Sequence, residues 1–165
     1  VYNAGHMLPR PLKVYLDTSI FNFAVSTQDV PREKEATLKF LKDIKAGKFL
    51  AYISDVTADE ILRAGEAKRN ELLKLLREID AEELLITNEA DILADRDIEE
   101  KIIPVTKRND ALHIAIAVIH NIDVIVSWNF EDMVKLKTRR EVPAINTLMG
   151  YKNIEICSPL EIIEP

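Results

Sequence analysis

Short apolar segments bounded by turn residues alternate with longer helical segments along the whole chain. Leu12 to Leu16, Phe49 to Ile53, Glu83 to Thr87 and Asp123 to Ser127 are strand candidates rich in Val, Ile, Leu or Tyr, and Ile154 to Ile156 is a candidate edge strand. Strands joined through helices cannot pair as hairpins; they lie parallel, with the connecting helices covering both faces. The predicted fold class is α/β, a three-layer α/β/α domain with a central, mostly parallel sheet. No uncharged apolar run approaches the ~18 residues of a membrane span.

Helix signals fill the gaps. Thr18 or Ser19 caps a short helix through Ala24, and Pro31 opens a second that Gly47 closes. Further helices are predicted around Ala58 to Ala64, Glu71 to Ile79 and Glu89 to Ile102, the last ending before Pro104. A strongly apolar helix begins at Asn109 or Asp110 and runs through His120, and two short ones lie near Glu131 to Leu136 and Val142 to Met149. The 165 residues suit one domain with a full core. Gly5-His6-Met7 reads as a cloning scar, so residues 1–6 are expected to be a tag remnant and 7–165 a single domain.

Composition removes several function classes. Lys+Arg 22 against Asp+Glu 28 gives a net charge of −6, which disfavours broad nonspecific binding to nucleic acid but not a local basic strip. The single cysteine, Cys157, excludes an internal disulfide framework and any CxxC motif. No GxGxxG or P-loop occurs among the four glycines. With no signal peptide and no lipidation signal, the expected location is cytoplasmic.

Open α/β sheets bind ligands at the carboxyl ends of their strands. Asp17 follows the first strand, Glu60 lies one helical step beyond the second, and Ser127, Asn129 and Asp132 follow the fourth. Asp110 begins the helix that leads into that fourth strand. Taken singly, Asp17 or Asp110 is an ordinary helix cap, Glu60 an exposed helix residue and Asn129 a turn residue. Taken together, three carboxylates and an amide converge on one rim. Close carboxylates repel, and a divalent cation with a preference for oxygen, Mg²⁺ or Mn²⁺, relieves that conflict. Its waters supply a nucleophile for phosphodiester chemistry.

Four segments carry a family resemblance: Val14-Tyr15-Leu16-Asp17-Thr18-Ser19, Ser54-Asp55-Val56-Thr57-Ala58-Asp59-Glu60-Ile61, Asn109-Asp110-Ala111-Leu112-His113-Ile114-Ala115 and Val126-Ser127-Trp128-Asn129-Phe130. In order and spacing the chain resembles PIN-domain ribonucleases, the fold of VapC-like toxins. The resemblance implies a metal-dependent endoribonuclease that hydrolyses RNA phosphodiester bonds, with the toxin of a toxin–antitoxin pair as the implied role. The alternative is a catalytically impaired PIN-like module acting by RNA or protein binding. Asp17, Glu60 and Asp110 match the acidic metal-ligand positions, with Asp17 and Asp110 as main ligands and Glu60 holding a second metal or orienting the water. Asn129 matches a fourth catalytic position that is often Asp, and as an amide it lowers the negative charge there. Thr18, Ser19 and Ser127 are placed to orient the carboxylates or a water, and Asp132 is a possible helper. The implied partners are RNA, an antitoxin protein and a second copy in a homodimer.

Lys135, Lys137, Arg139 and Arg140 form a basic strip after the acidic rim, and Lys107 and Arg108 precede Asp110. Both groups are RNA-binding candidates. Helix-end solvation is the ordinary alternative. His113 and His120 read as structural residues. The acidic run Glu89, Asp91, Asp95, Asp97, Glu99 and Glu100 reads as a solvated helix face. Trp128 is either a base-stacking or a core residue. Phe21, Phe23 and Leu41 are a candidate apolar docking patch. A phosphohydrolase with Asp17 as nucleophile would want Asp two positions on, where Ser19 stands.

Overall fold

The computed structural model describes residues 10–164. The expected tag remnant at 1–6 lies outside them. Five parallel strands, β1 (Leu12–Leu16), β2 (Phe49–Ser54), β3 (Glu82–Leu84), β4 (Val124–Val126) and β5 (Glu155–Cys157), form one sheet in the order β3-β2-β1-β4-β5. β1 is the middle strand, with Val14 paired to Ala51 on one side and to Val124 on the other. Its Val14, Tyr15 and Leu16 are fully buried.

The two-residue period of a strand sends alternate side chains into two cores. Val14 and Leu16 pack with α1 (Thr18–Ala24), α2 (Pro31–Lys45), α4 (Glu66–Ile79) and α8 (Pro159–Ile162). Tyr15 faces the other layer, α5 (Asn88–Glu99), α6 (Arg108–Ile119) and α7 (Leu136–Leu148). The chain is thus a three-layer α/β/α sandwich, as its sequence pattern predicts. α3 (Asp55–Leu62) contributes Val56 to one core and Ile61 to the other. Every residue of α6 from Ala111 to Val118 is buried, all of them apolar except His113, so this helix is packed on all sides.

Several local expectations change. The two short helices predicted at Glu131 to Leu136 and Val142 to Met149 are a turn followed by one helix. Met133 and Val134 donate their amides to the Asn129 carbonyl, closing the turn, and α7 then runs through Pro143. Proline deletes one helical bond, and tertiary packing of Val142 and Ile145 holds the helix across it. α8, absent from the sequence reading, is four residues closed by a Ser158–Glu161 capping box. Phe21 and Leu41 are core residues, 0% and 2% exposed, and cannot form the expected patch. Trp128 is a core residue too: its indole N–H donates to the Thr37 hydroxyl at 2.7 Å, and it packs on Phe23. The acidic face of α5 is solvated except at Asp97, which is fully buried.

Candidate active site at the carboxyl edge of the sheet

The chain leaves β1 toward β2 on one side and β4 on the other, so the strand order reverses at the β1/β4 boundary. That boundary is where an open α/β sheet forms its ligand crevice. Asp17 follows β1 there, and Ser127, Trp128 and Asn129 follow β4. Asp110 stands in the first turn of α6, where the helix dipole favours an anion.

Asp17 occupies the N-cap position of α1, yet its side chain makes no cap bond. Its carboxylate instead accepts from the Ser19 hydroxyl at 2.5 Å. Ser19 in turn accepts from the Trp128 amide at 2.9 Å, tying the β1 end to the β4 end. Burial pushes the Asp17 carboxyl up, and His113, Ser19 and Ser127 oppose that only in part. Burial also raises Asp110; the Asn129 bond and His113 oppose it, while the charges of Asp17 and Asp132 add to it. A metal-free pair of such carboxylates is in electrostatic conflict.

Asn129 bridges the rim. Its amide nitrogen donates to Asp110 Oδ2 at 3.1 Å, and its carbonyl oxygen accepts from the Asp132 amide at 3.0 Å. The two partners fix the amide's orientation, since only the nitrogen can donate to a carboxylate. Ser127 Oγ accepts from the Asn129 amide at 2.9 Å. Asp132 is 4% exposed and lines the same cavity as Asp110.

Glu60 is held differently. Its Oε1 accepts from the Thr18 hydroxyl at 3.1 Å and from His113 Nε2 at 2.6 Å. Burial alone would raise the Glu60 carboxyl, but the bond and charge of His113, with Thr18 and Arg63, hold it below its ordinary value. His113 is 1% exposed, and its Nδ1 lies 2.6 Å from the Tyr15 hydroxyl, which meets Ser54 Oγ at 2.7 Å. We place a ring hydrogen on Nε2 because its partner is a carboxylate. Tyr15, 0% exposed, stays protonated because burial raises its phenol far above the usual range.

His113 and Tyr15 are the members of this site that the sequence reading missed. Two periodicities carry the signal. Tyr15 and Asp17 are two apart on one strand and share a face, while Asp110 and His113 are three apart on one helix and share another.

Glu60, Asp110 and Asp132 border a cavity of about 540 Å³, which Asn129, Lys107 and Arg108 also line, while Asp17 is buried behind it. The basic candidates separate. Lys107 stands at this cavity. Arg108 reaches it but is gripped by Asp91 and Asp95 of α5. Arg139 pairs with Glu161 of α8, while Lys135 and Lys137 border a neighbouring cavity. Arg140 is exposed and makes no ion pair among the described residues.

Among the described residues no three His, Cys, Asp or Glu side chains close into one coordinating group. Glu60 is turned toward His113 and Thr18. Asp17 and Asp110 are hard oxygen donors close enough for the charge of one to raise the other. That donor set fits Mg²⁺, which is commonly bound through one or two carboxylates with waters and substrate phosphate completing the shell.

No family model matches the chain. One stretch of 65 residues is 42% identical to GTPase Obg of Wolbachia pipientis subsp. Culex pipiens (strain wPip), covering 38% of this chain and 19% of that protein. The chain thus spans about a fifth of that protein's length. Solved structures match far more of it. VapBC2 of Rickettsia felis, bound to a DNA fragment from its promoter, aligns with TM-score 0.58 at 13% identity, over 89% of this chain and 98% of that one. DNA-bound VapBC of Salmonella typhimurium gives 0.52 at 20%, over 90% and 98%. VapBC-5 of Mycobacterium tuberculosis, from the VapBC family of toxin–antitoxin systems, gives 0.50 at 20%, over 90% and 99%. The resemblance read from the sequence and these neighbours agree: the chain has the three-layer α/β/α PIN-like fold found in VapBC toxin–antitoxin structures.

Proposed function

We propose that this chain is a metal-dependent endoribonuclease, the toxin of a toxin–antitoxin pair. The observation that carries the reading is the convergence of Asp17 and Asp110 at the β1/β4 switch point, both carboxyls raised by burial, beside a cavity bordered by Lys107. Asp17 and Asp110 would hold Mg²⁺ or Mn²⁺. A cation there supplies charge stabilisation for the phosphate and a more acidic water.

The remaining residues position. Ser19 and Ser127 fix the Asp17 carboxylate, and Asn129 fixes Asp110. Thr18 and His113 occupy Oε1 of Glu60, so Oε2 is the atom that orients the attacking water and takes its proton. Lys107 receives a backbone phosphate of the RNA. The protein works in the cytoplasm, held by an antitoxin protein. It pairs as a homodimer, which light scattering tests.

The deciding experiment is incubation with labelled single-stranded and structured RNAs in Mg²⁺ or Mn²⁺ and then in chelator, with Asp17→Asn and Asp110→Asn alongside. Cleavage that needs metal and vanishes in both variants supports the reading; cleavage that survives both defeats it. One observation favours a second reading, an impaired module that binds RNA or protein. The Asn129 amide is held by Asp110 and by the Asp132 backbone, and it offers an ion only a neutral oxygen that already accepts one hydrogen bond. Mn²⁺ calorimetry separates the two, because a dead module gives no heat that depends on Asp17.

A further inference from the structure

A second cavity, of about 460 Å³, lies directly beside the acidic one. The two share a ridge, the 3₁₀ turn Val105–Lys107. Val105 lines the second cavity, while Thr106 and Lys107 line the first. The two linings therefore meet at consecutive residues of one turn. Their chemistries differ. The acidic cavity is lined by polar and charged side chains. The second is lined by the buried Ile102 and Ile103, by Ile98 and Pro104, and by the exposed Val105, with Lys101, Lys135 and Lys137.

Three features mark this cavity as a built site. Val105 is 74% exposed, an apolar side chain kept at the rim. Its walls are fixed, because Lys137 Nζ donates to the Lys101 carbonyl at 2.7 Å and so ties the start of α7 to the segment after α5. Of its cations, Lys101 and Lys135 remain available in a chain of net charge −6. Lys101 and Lys135 make no ion pair among the described residues, whereas Lys137 is held by the Lys101 carbonyl and Glu141, and Arg108 and Arg139 are consumed by close carboxylates. An apolar floor with a cationic rim matches one nucleotide of a single strand, with the base on the floor and the phosphate on the lysines.

We propose that this cavity is a nucleotide subsite, which holds the base flanking the bond cleaved at the acidic edge and sets the sequence preference there. The inference rests on the ribonuclease reading above and goes beyond it by assigning where a base is read. The occupant is single-stranded RNA, because a base paired within a duplex cannot leave its stack to enter an apolar pocket without an unpairing cost.

The test uses the full chain in Mn²⁺ with a randomised single-stranded RNA pool, sequencing the cut ends and measuring kcat and KM on a preferred substrate. Val105→Asp changes an exposed residue, so folding is spared. It is expected to erase the base preference at one position beside the cut and to raise KM about tenfold with kcat unchanged. Lys101→Ala with Lys135→Ala, which leaves the Lys137 tie to the backbone intact, is expected to flatten the salt dependence of KM by about 1.4 log units per log unit, at ~0.7 per phosphate contact. If the wild type cleaves and these variants keep its preference, KM and salt slope, the subsite is refuted while the nuclease stands; a protein partner on this surface would give that result. If the wild type cleaves nothing in the pool, the nuclease reading fails and the subsite falls with it.

Discussion

His113 shows how much a single buried side chain can decide. It spans from Tyr15, on the strand that Asp17 follows, to Glu60 of α3, and both ring nitrogens are used at 2.6 Å. Truncation to Ala leaves a carboxylate and a phenol without their partner. We expect His113→Ala to lower the cleavage rate 10- to 100-fold and to cost about 2–3 kcal/mol of stability. His113→Gln keeps an N–H aimed at Glu60 and should recover most of the rate, though less of the stability; parallel cleavage assays and urea melts read both. An equal loss in the two variants would mean that His113 serves packing alone. At Asn129 the amide removes one negative charge and donates to Asp110. Asn129→Asp reverses both effects. The metal-free protein should melt at lower temperature, because a further carboxylate joins Asp17 and Asp132 beside Asp110, and Mn²⁺ should bind about tenfold more tightly by calorimetry. The acids were legible in the sequence because strand ends are marked by local pattern. The histidine was not, because its partners lie 98 and 53 residues away and only the fold brings them together.

Elements differ in how far their own residues determine them. β1, β2 and α6 are legible because each carries a short run of apolar residues, Val14 to Leu16, Phe49 to Ile53 and Ile114 to Ile119, bounded by polar ones. α7 is not, since Pro143 breaks its local signal while packing keeps the helix whole. α5 is legible as a helix but not in its chemistry. Its acidic residues look alike in sequence, yet Asp91 and Asp95 grip Arg108 while Asp97 is fully buried with neither oxygen hydrogen-bonded. Burial pushes the Asp97 carboxyl up to about 7 from an ordinary 3.8. The folded protein therefore binds a proton that the unfolded chain releases near pH 4. Stability from this group is whole below pH 4 and is lost as pH rises through about 7, by an amount on the order of 4 kcal/mol at most. Asp97→Leu removes the titration and the orphaned oxygens together. It should stabilise by about 1–3 kcal/mol at pH 8 and by little at pH 4, measured by urea unfolding at both values. A gain independent of pH would show that Asp97 is not the titrating group.

Across the whole molecule, a net charge of −6 is carried by a fold that gathers Asp17, Asp110, Asp132 and Glu60 at one edge of the sheet. Such a site is a stability liability until something cationic enters it. Function and stability are thus opposed at these positions, as is common where carboxylates are buried for chemistry. Replacing Asp17 or Asp110 by Asn removes a desolvated charge while keeping the shape. Without metal, each variant should melt above the wild type. The wild type alone should then respond to Mn²⁺. At a hundredfold excess over Kd, binding to the folded state adds about 2.7 kcal/mol. For a chain of this length that corresponds to about 5–10 °C in Tm. Thermal melts of the three proteins with and without Mn²⁺ read this directly. The expected outcome is a crossing, with the Asn variants more stable in chelator and the wild type more stable in saturating Mn²⁺. If the variants gain as much from Mn²⁺ as the wild type does, the cation binds elsewhere, and the assignment of Asp17 and Asp110 as its ligands is wrong.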